Sequence, residues 1–230
     1  MGLTQPTIEA RVPNTEALVA YCARVSNPSN QDKFDTAEGL LNYCIKNKHW
    51  SIFQMVNALV EIEAPRDITR QFTRHSSLYC FGDPFDTPGF NYDQGGVQEF
   101  SQRYSDEIEF TGREFRSQDT KNRQNSIDDL DEHTLDEVSG KAVYIRHLAA
   151  GSYMAMREMG VAKECARVVL PEGLTMSRLY VNGTLRSWLH YLDVRDDPGV
   201  TQWEHVVMAR KIKDVLVPAF PTVFNLTGNQ

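Results

Sequence analysis

Paired cysteines are missing from this chain. Cys22, Cys44, Cys80 and Cys165 are scattered through 230 residues, with no Cys-x-x-Cys and no zinc-ligand spacing. That removes a disulfide framework and suits a reduced, cytoplasmic setting. The amino terminus, Met1-Gly-Leu-Thr-Gln-Pro6, carries no basic-then-apolar leader pattern. Long hydrophobic runs are also absent. Gln54, Asn57 and Glu61 break the most apolar stretch, so no helical span across a bilayer is expected. Positive charge is in deficit, with 24 Lys plus Arg against 31 Asp plus Glu and a net charge of −7. General binding to nucleic acid or anionic membranes is therefore not expected, while local arginines can still hold a small anion. The glycine patterns G-x-G-x-x-G, G-x-x-x-x-G-K-[ST] and G-x-S-x-G do not occur.

What the chain has is material for a core, at 41% hydrophobic residues. Periodicity predicts a helix over 14–26, with Asn14 as cap and Leu18, Tyr21, Cys22 and Val25 inward. A second helix is predicted behind an Asp35/Glu38 cap, with the stripe Leu40, Leu41, Cys44 and Ile45. Val56, Ala58, Val60 and Ile62 alternate with polar residues over 54–64, a half-buried strand. Pro65 then opens a helical segment to about His75. Residues 76–98 hold four glycines and two prolines without a period and read as a long loop. A strand-like piece over 99–105 and a polar connector to about 126 lead to a long helix over 128–159. Its face is Val138, Ala142, Ile145, Ala149, Ser152, Met156 and Met159, and Gly160 is its stop. Leu185, Trp188, Leu189 and Leu192 mark a shorter helix. The last helix begins with Thr201 and Glu204 as a capping box, carries Met208, Ala209, Ile212, Val215 and Leu216, and ends at Pro218. Residues 1–230 are expected to form a single domain.

His133 and His147 have no ligand partner at i+4, and no metal is expected. Arginine placement says more. Arg66, Arg70 and Arg74 recur at i+4 and share a helix face, with Gln71 and His75 on the adjoining one. Only Glu61, Glu63 and Asp67 are near enough in sequence to neutralise them. Such a row of forked donors suits a phosphate or diphosphate; the competing reading is a solvated charged face. Glu99, Ser101 and Arg103 fall on one side of an extended segment. Arg167 starts a polar-to-buried stretch ending at Pro171, and Arg195 follows a helix end. Each of these alone reads more simply as a surface or salt-bridged residue.

Taken together, the segments resemble the flavin-dependent thymidylate synthase family over about residues 16–217. The stretches that carry the resemblance are His49-Trp-Ser51-Ile-Phe53, Arg70-Gln71-Phe-Thr-Arg74-His75, Glu99-Phe-Ser101-Gln-Arg103-Tyr-Ser105, Arg167-Val-Val-Leu-Pro171 and Arg186-Ser-Trp-Leu-His190-Tyr-Leu-Asp-Val-Arg195, in the family's order. The resemblance implies an α/β (α+β) fold, a small, mostly antiparallel sheet packed by helices, assembled as a homotetramer. It implies reductive methylation of dUMP to dTMP with FAD, and with NADPH and methylenetetrahydrofolate as cosubstrates. Residue by residue it places Gln71, Arg74, Glu99, Ser101, Gln102, Arg103, Arg167 and Arg195 at dUMP. It places Ser51, Arg74, His75, Ser76, Glu99, Thr184 and His190 at FAD, with one site drawing residues from different subunits. Arg195, Ser101 and His49 are its catalytic candidates. It needs no enzyme nucleophile on the uracil ring, in keeping with Cys22, Cys44 and Cys165 read as small buried residues.

This chain departs from the family pattern at two places. Ser76 stands where the third arginine of Arg-His-Arg belongs, and the loop onward to Ser101 is far longer; Thr184 stands where many members have asparagine. The inserted loop, with Phe81, Phe85, Phe90 and Tyr92, is expected to be a lid or wall over flavin or nucleotide, the alternative being a solvated excursion. Two other readings of the whole chain are a flavin- and nucleotide-binding homologue without turnover and a purely structural helical assembly.

Overall fold

The structure, a computed structural model, describes residues 12–75 and 96–225. Its centre is an antiparallel sheet in the spatial order β1 (Asn57–Pro65), β5 (Met176–Thr184), β2 (Gly96–Glu99). Alternation builds it. Val60, Ile62, Ala64, Leu179 and Val181 are buried on one face, while Glu61, Glu63 and Arg178 are exposed on the other. The register sets Val60 opposite Val181 and Ile62 opposite Leu179, so the apolar pairs meet across the strands. A two-residue hairpin, β3 (Ser117–Gln118) with β4 (Ser126–Ile127), lies within the stretch expected to be an unstructured connector.

The helices are α1 (Thr15–Ala23), α2 (Ala37–Lys46), α3 (Arg66–Phe72), α4 (Glu132–Glu158), α5 (Lys163–Ala166), α6 (Leu185–Arg195), α7 (Trp203–Leu216) and α8 (Pro221–Asn225). All but α4 and α5 place residues in the main core around Phe53, Phe72, Trp188, Tyr191 and Phe224. Tyr153 of α4 and Ala166 of α5 form a second, smaller core with Leu170. The α8 turn was not anticipated.

Local chemistry explains where the pattern fails. In α1, Asn14 caps as expected, accepting the Ala17 N–H at 2.8 Å. The buried face is nevertheless Glu16, Ala17, Val19 and Ala20, because the Glu16 carboxylate accepts the Val223 N–H at 2.9 Å and turns that side toward α8. Val25 is exposed. The Asp35/Glu38 cap does not form; a 3-10 turn, Phe34–Thr36, runs straight into α2, and the Thr36 hydroxyl is taken up by the Lys33 carbonyl and Arg24. The extended piece ends at Glu99 rather than 105. The Tyr104 N–H donates to the Ser101 carbonyl at 3.0 Å, so the chain turns and Glu99, Ser101 and Arg103 do not share one side. The Thr201/Glu204 box is replaced by Gln202 at the N-cap; the Thr201 hydroxyl donates to the Val194 carbonyl and Glu204 accepts from Arg116. Val215 is exposed. In α4 only Ala149 and Tyr153 are buried, although Asp131 caps it and Gly160, at φ 83°, ends it.

Candidate active site

Helix α3 starts where β1 ends, with the Arg66 N–H donating to the Thr175 carbonyl at 2.9 Å. Ile68, Thr69 and Phe72 are its buried side, which leaves Arg66 and Arg70, one turn apart, facing a cleft of about 240 Å³. Two more segments, distant in sequence, close that cleft. Glu99 comes from the end of β2, Ser101 and Gln102 from the turn after it, and Arg167 from the junction behind α5. Gln102 is buried and accepts from Arg66 at 2.8 Å. Glu99 accepts from the Ser177 hydroxyl at 2.9 Å and lies 3.7 Å from Arg70, which also reaches Glu172 at 3.4 Å. The acids that balance Arg70 come from far along the chain, which counting near neighbours could not reveal. Arg66 and Arg167 face the cleft without a carboxylate pair among the described residues. A cleft with this donor excess suits a monoanionic or dianionic head group.

Arg103 is not in that lining. Its guanidinium pairs with Glu164 at 3.2 Å, both side chains more than half exposed, a pair that an arriving anion can compete for.

Past the other end of α3 lies a second cluster. His75 is buried and packs edge-on against His190 and Tyr191, at ring-centroid distances of 5.6 and 5.3 Å. Arg195 is the last residue of α6, not a residue beyond it, and its Nε is buried. His205 of α7, fully buried, has Nε2 3.1 Å from the Tyr191 hydroxyl. Burial, with the charges of Arg195 and His190, holds the His75 pKa down at about 4. Burial, with Arg195 and His75, holds His205 at about 4 too. Both rings are thus neutral at pH 7, and the positive charge of this cluster is carried by Arg195. Gln71 donates to Gln202, and Arg74 and His190 are exposed nearby in sequence. Sequence reasoning missed His205 and Gln202, whose segment it had assigned to helix capping.

The remaining candidates are placed as follows. His49 is exposed and packs edge-on against Tyr43 at 5.7 Å; Ser51, also exposed, belongs to the 3-10 turn Trp50–Gln54, which packs on α6. Thr184 is buried, and its hydroxyl caps α6 by accepting the Ser187 N–H at 3.1 Å, so its role is to fix the start of the helix that carries His190 and Arg195. Ser76 and all but the end of the 76–98 loop lie outside the described residues; 96–98 belong to β2. Burial raises the thiol pKa of Cys22 and Cys44, so neither is an activated nucleophile. Cys165, expected to be buried, is exposed because the single turn of α5 directs Ala166 inward instead. His133 and His147 are exposed on α4, and no cluster able to hold a metal occurs among the described residues. Nor is any described helix long and apolar enough to cross a membrane.

Residues 7–222 match the family described as Thymidylate synthase complementing protein, and the chain belongs to that family. Over 226 residues it is 38% identical to a probable flavin-dependent thymidylate synthase of Paramecium bursaria Chlorella virus 1, spanning 97% of this chain and 94% of that one. Over 225 residues it is 40% identical to the flavin-dependent thymidylate synthase of Synechocystis sp., spanning 97% and 95%. Its fold is similar to the crystal structure of a UMP/dUMP methylase, PolB, from Streptomyces cacaoi bound with 5-Br dUMP. The TM-score is 0.72 at 22% identity, over 92% of this chain and 89% of that one.

Proposed function

We propose that this chain acts as one catalytic domain of a flavin-dependent thymidylate synthase, converting dUMP to dTMP with FAD, NADPH and methylenetetrahydrofolate. The observation that carries the reading is the cleft, in which Glu99, Ser101, Gln102 and Arg167 converge from two segments far apart in sequence. In this reading Arg167 and the Ser101 hydroxyl hold the nucleotide phosphate, with Arg103 released from Glu164 to join them. Glu99 orients the ribose. Arg195 lies against the pyrimidine and stabilises the negative charge left as the N3 proton departs, which makes C5 nucleophilic. The neutral His75 and His205 leave that charge on Arg195 alone.

The surface at His75, Arg74 and His190 fits FAD: an exposed guanidinium for a diphosphate beside ring edges for a flat aromatic system. Ser51 and Glu99 would complete its contacts. When bound, FAD supplies the hydride and one-carbon chemistry.

The phosphate cleft lies along α3 and the Arg195 cluster past its end, and α4 supports self-association. Tyr144, Ile145 and Leu148 are exposed close together along it, an apolar strip of the kind that marks an interaction surface. A homotetramer burying this strip would bring one chain's cleft to another chain's arginine. The test is the absorption spectrum of the purified protein, followed by NADPH oxidation with and without dUMP. A yellow protein whose NADPH oxidation responds to dUMP and which yields dTMP is expected; a colourless protein indifferent to dUMP would refute the reading.

A further inference from the structure

Arg195 and Tyr191 are one turn apart on α6 and project from the face that α7 covers. His205 sits under that face at 0% exposure, with Nε2 on the Tyr191 hydroxyl. Two buried polar atoms in this cluster have no hydrogen-bond partner among the described residues: the Nε of Arg195 and the Nδ1 of His205. Unpaired buried polar atoms cost stability, so a complementary pair of them in one cluster calls for a reason. The Arg195 Nε–H can only donate. A neutral His205 that donates from Nε2 to Tyr191 keeps a lone pair on Nδ1, which can only accept. The two are complementary in one tautomer of His205, and the guanidinium is close enough for its charge to act on the ring.

We propose that His205 is a positioning residue, whose Nδ1 accepts the Arg195 Nε–H once a pyrimidine is bound and so fixes the plane of the guanidinium against it. This rests on the reading of Arg195 at the pyrimidine. The two terminal nitrogens of Arg195 are then left for the substrate, and the tautomer in which Nε2 donates to the Tyr191 hydroxyl is the one that makes the contact attractive.

The experiment measures kcat and KM for dUMP, with melting temperature, in the holoenzyme carrying His205→Gln, His205→Asn, Arg195→Ala, Arg195→Lys and the Gln/Ala double substitution. Gln can reach Tyr191 but places nothing at Nδ1, and should lower kcat by roughly ten- to a hundredfold with KM little changed. Asn places an oxygen near Nδ1 and should restore most of kcat. In the Arg195→Ala background, His205→Gln should lower kcat no further, since the contact is already gone. Additive losses, or equal kcat in the Gln and Asn variants, would overturn the proposal while leaving Arg195 in place. Normal turnover of Arg195→Ala would overturn the placement of Arg195 itself, and this inference with it. Should His205→Gln fail to fold, Arg195→Lys decides: it keeps the charge without an Nε–H, and full activity there refutes the contact.

Discussion

Mild acid should destabilise this protein through its buried histidines, and replacing one of them should remove much of the effect. His205 is fully buried, and burial together with Arg195 and His75 holds its pKa at about 4, against an ordinary 6.5. Between those values the unfolded chain binds a proton that the folded chain refuses. Stability therefore falls as pH drops from about 6.5 toward 4, is unaffected above that window, and loses nothing more to this group below it. A pKa held that far below its free value is worth about 3 kcal/mol in full, of which about 2 kcal/mol is lost between pH 7 and pH 5. His75 is lowered in the same direction and adds to the loss. Asp106, Asp119 and Asp131, whose pKa values are lowered by hydrogen bonds, titrate below this window and do not confuse it. Urea unfolding followed by tryptophan fluorescence at pH 7 and pH 5 is the assay, on the parent and on His205→Gln at equal protein concentration. The variant should lose about 2 kcal/mol less than the parent over that interval. Equal losses would mean that His205 accepts its proton inside the fold, and the neutral-ring argument would fall.

Three further outcomes are expected. Arg167→Lys keeps the charge but loses the fork, and should weaken dUMP binding by about tenfold in calorimetry without lowering the melting temperature; unchanged affinity would remove Arg167 from the phosphate. Thr184→Ala deletes the α6 cap and should cost about 1 kcal/mol in chemical denaturation; no loss would show that the cap is dispensable. Leu148→Glu, on the exposed strip of α4, should leave the fold intact but shift sedimentation toward smaller species; an unchanged assembly would place the interface elsewhere.

The elements with strong local signals were legible in the sequence. The β1 alternation, the α2 stripe and the cap of α1 all hold because each is written in a local period or a single capping residue. What misled the reading were side chains recruited from far away. Glu16 is drawn inward by a backbone N–H of Val223, Thr36 is occupied by Arg24, and Glu204 is held by Arg116 across 88 residues. None of these partners can be inferred from spacing, and each one overrides a local preference for capping or for an apolar face.

The site shows the same division more sharply. The residue types and their order pointed to an anionic nucleotide, but not to how the residues are grouped. Successive residues on a helix are about 100° apart, so Arg66 and Arg70 occupy one face of α3 while Gln71 is turned away from it and His75 lies beyond the helix end. The first pair faces the phosphate cleft with Ser101 and Arg167; the second leads to His190, Tyr191 and Arg195. One short segment, α3 and the turn after it, thus contributes to both clusters. In the proposed assembly one chain would supply the phosphate grip and another the Arg195 that meets the same nucleotide. Of the α4 stripe expected to face inward, Ala149 is buried, Ile145 and Met159 are exposed, and the others are half-buried. The single chain covers that stripe only in part; under the proposed assembly a second copy would cover the exposed apolar residues beside it. On that argument the exposed apolar strip and the divided site have the same physical cause, and the Leu148→Glu variant that separates the copies should lose turnover along with assembly.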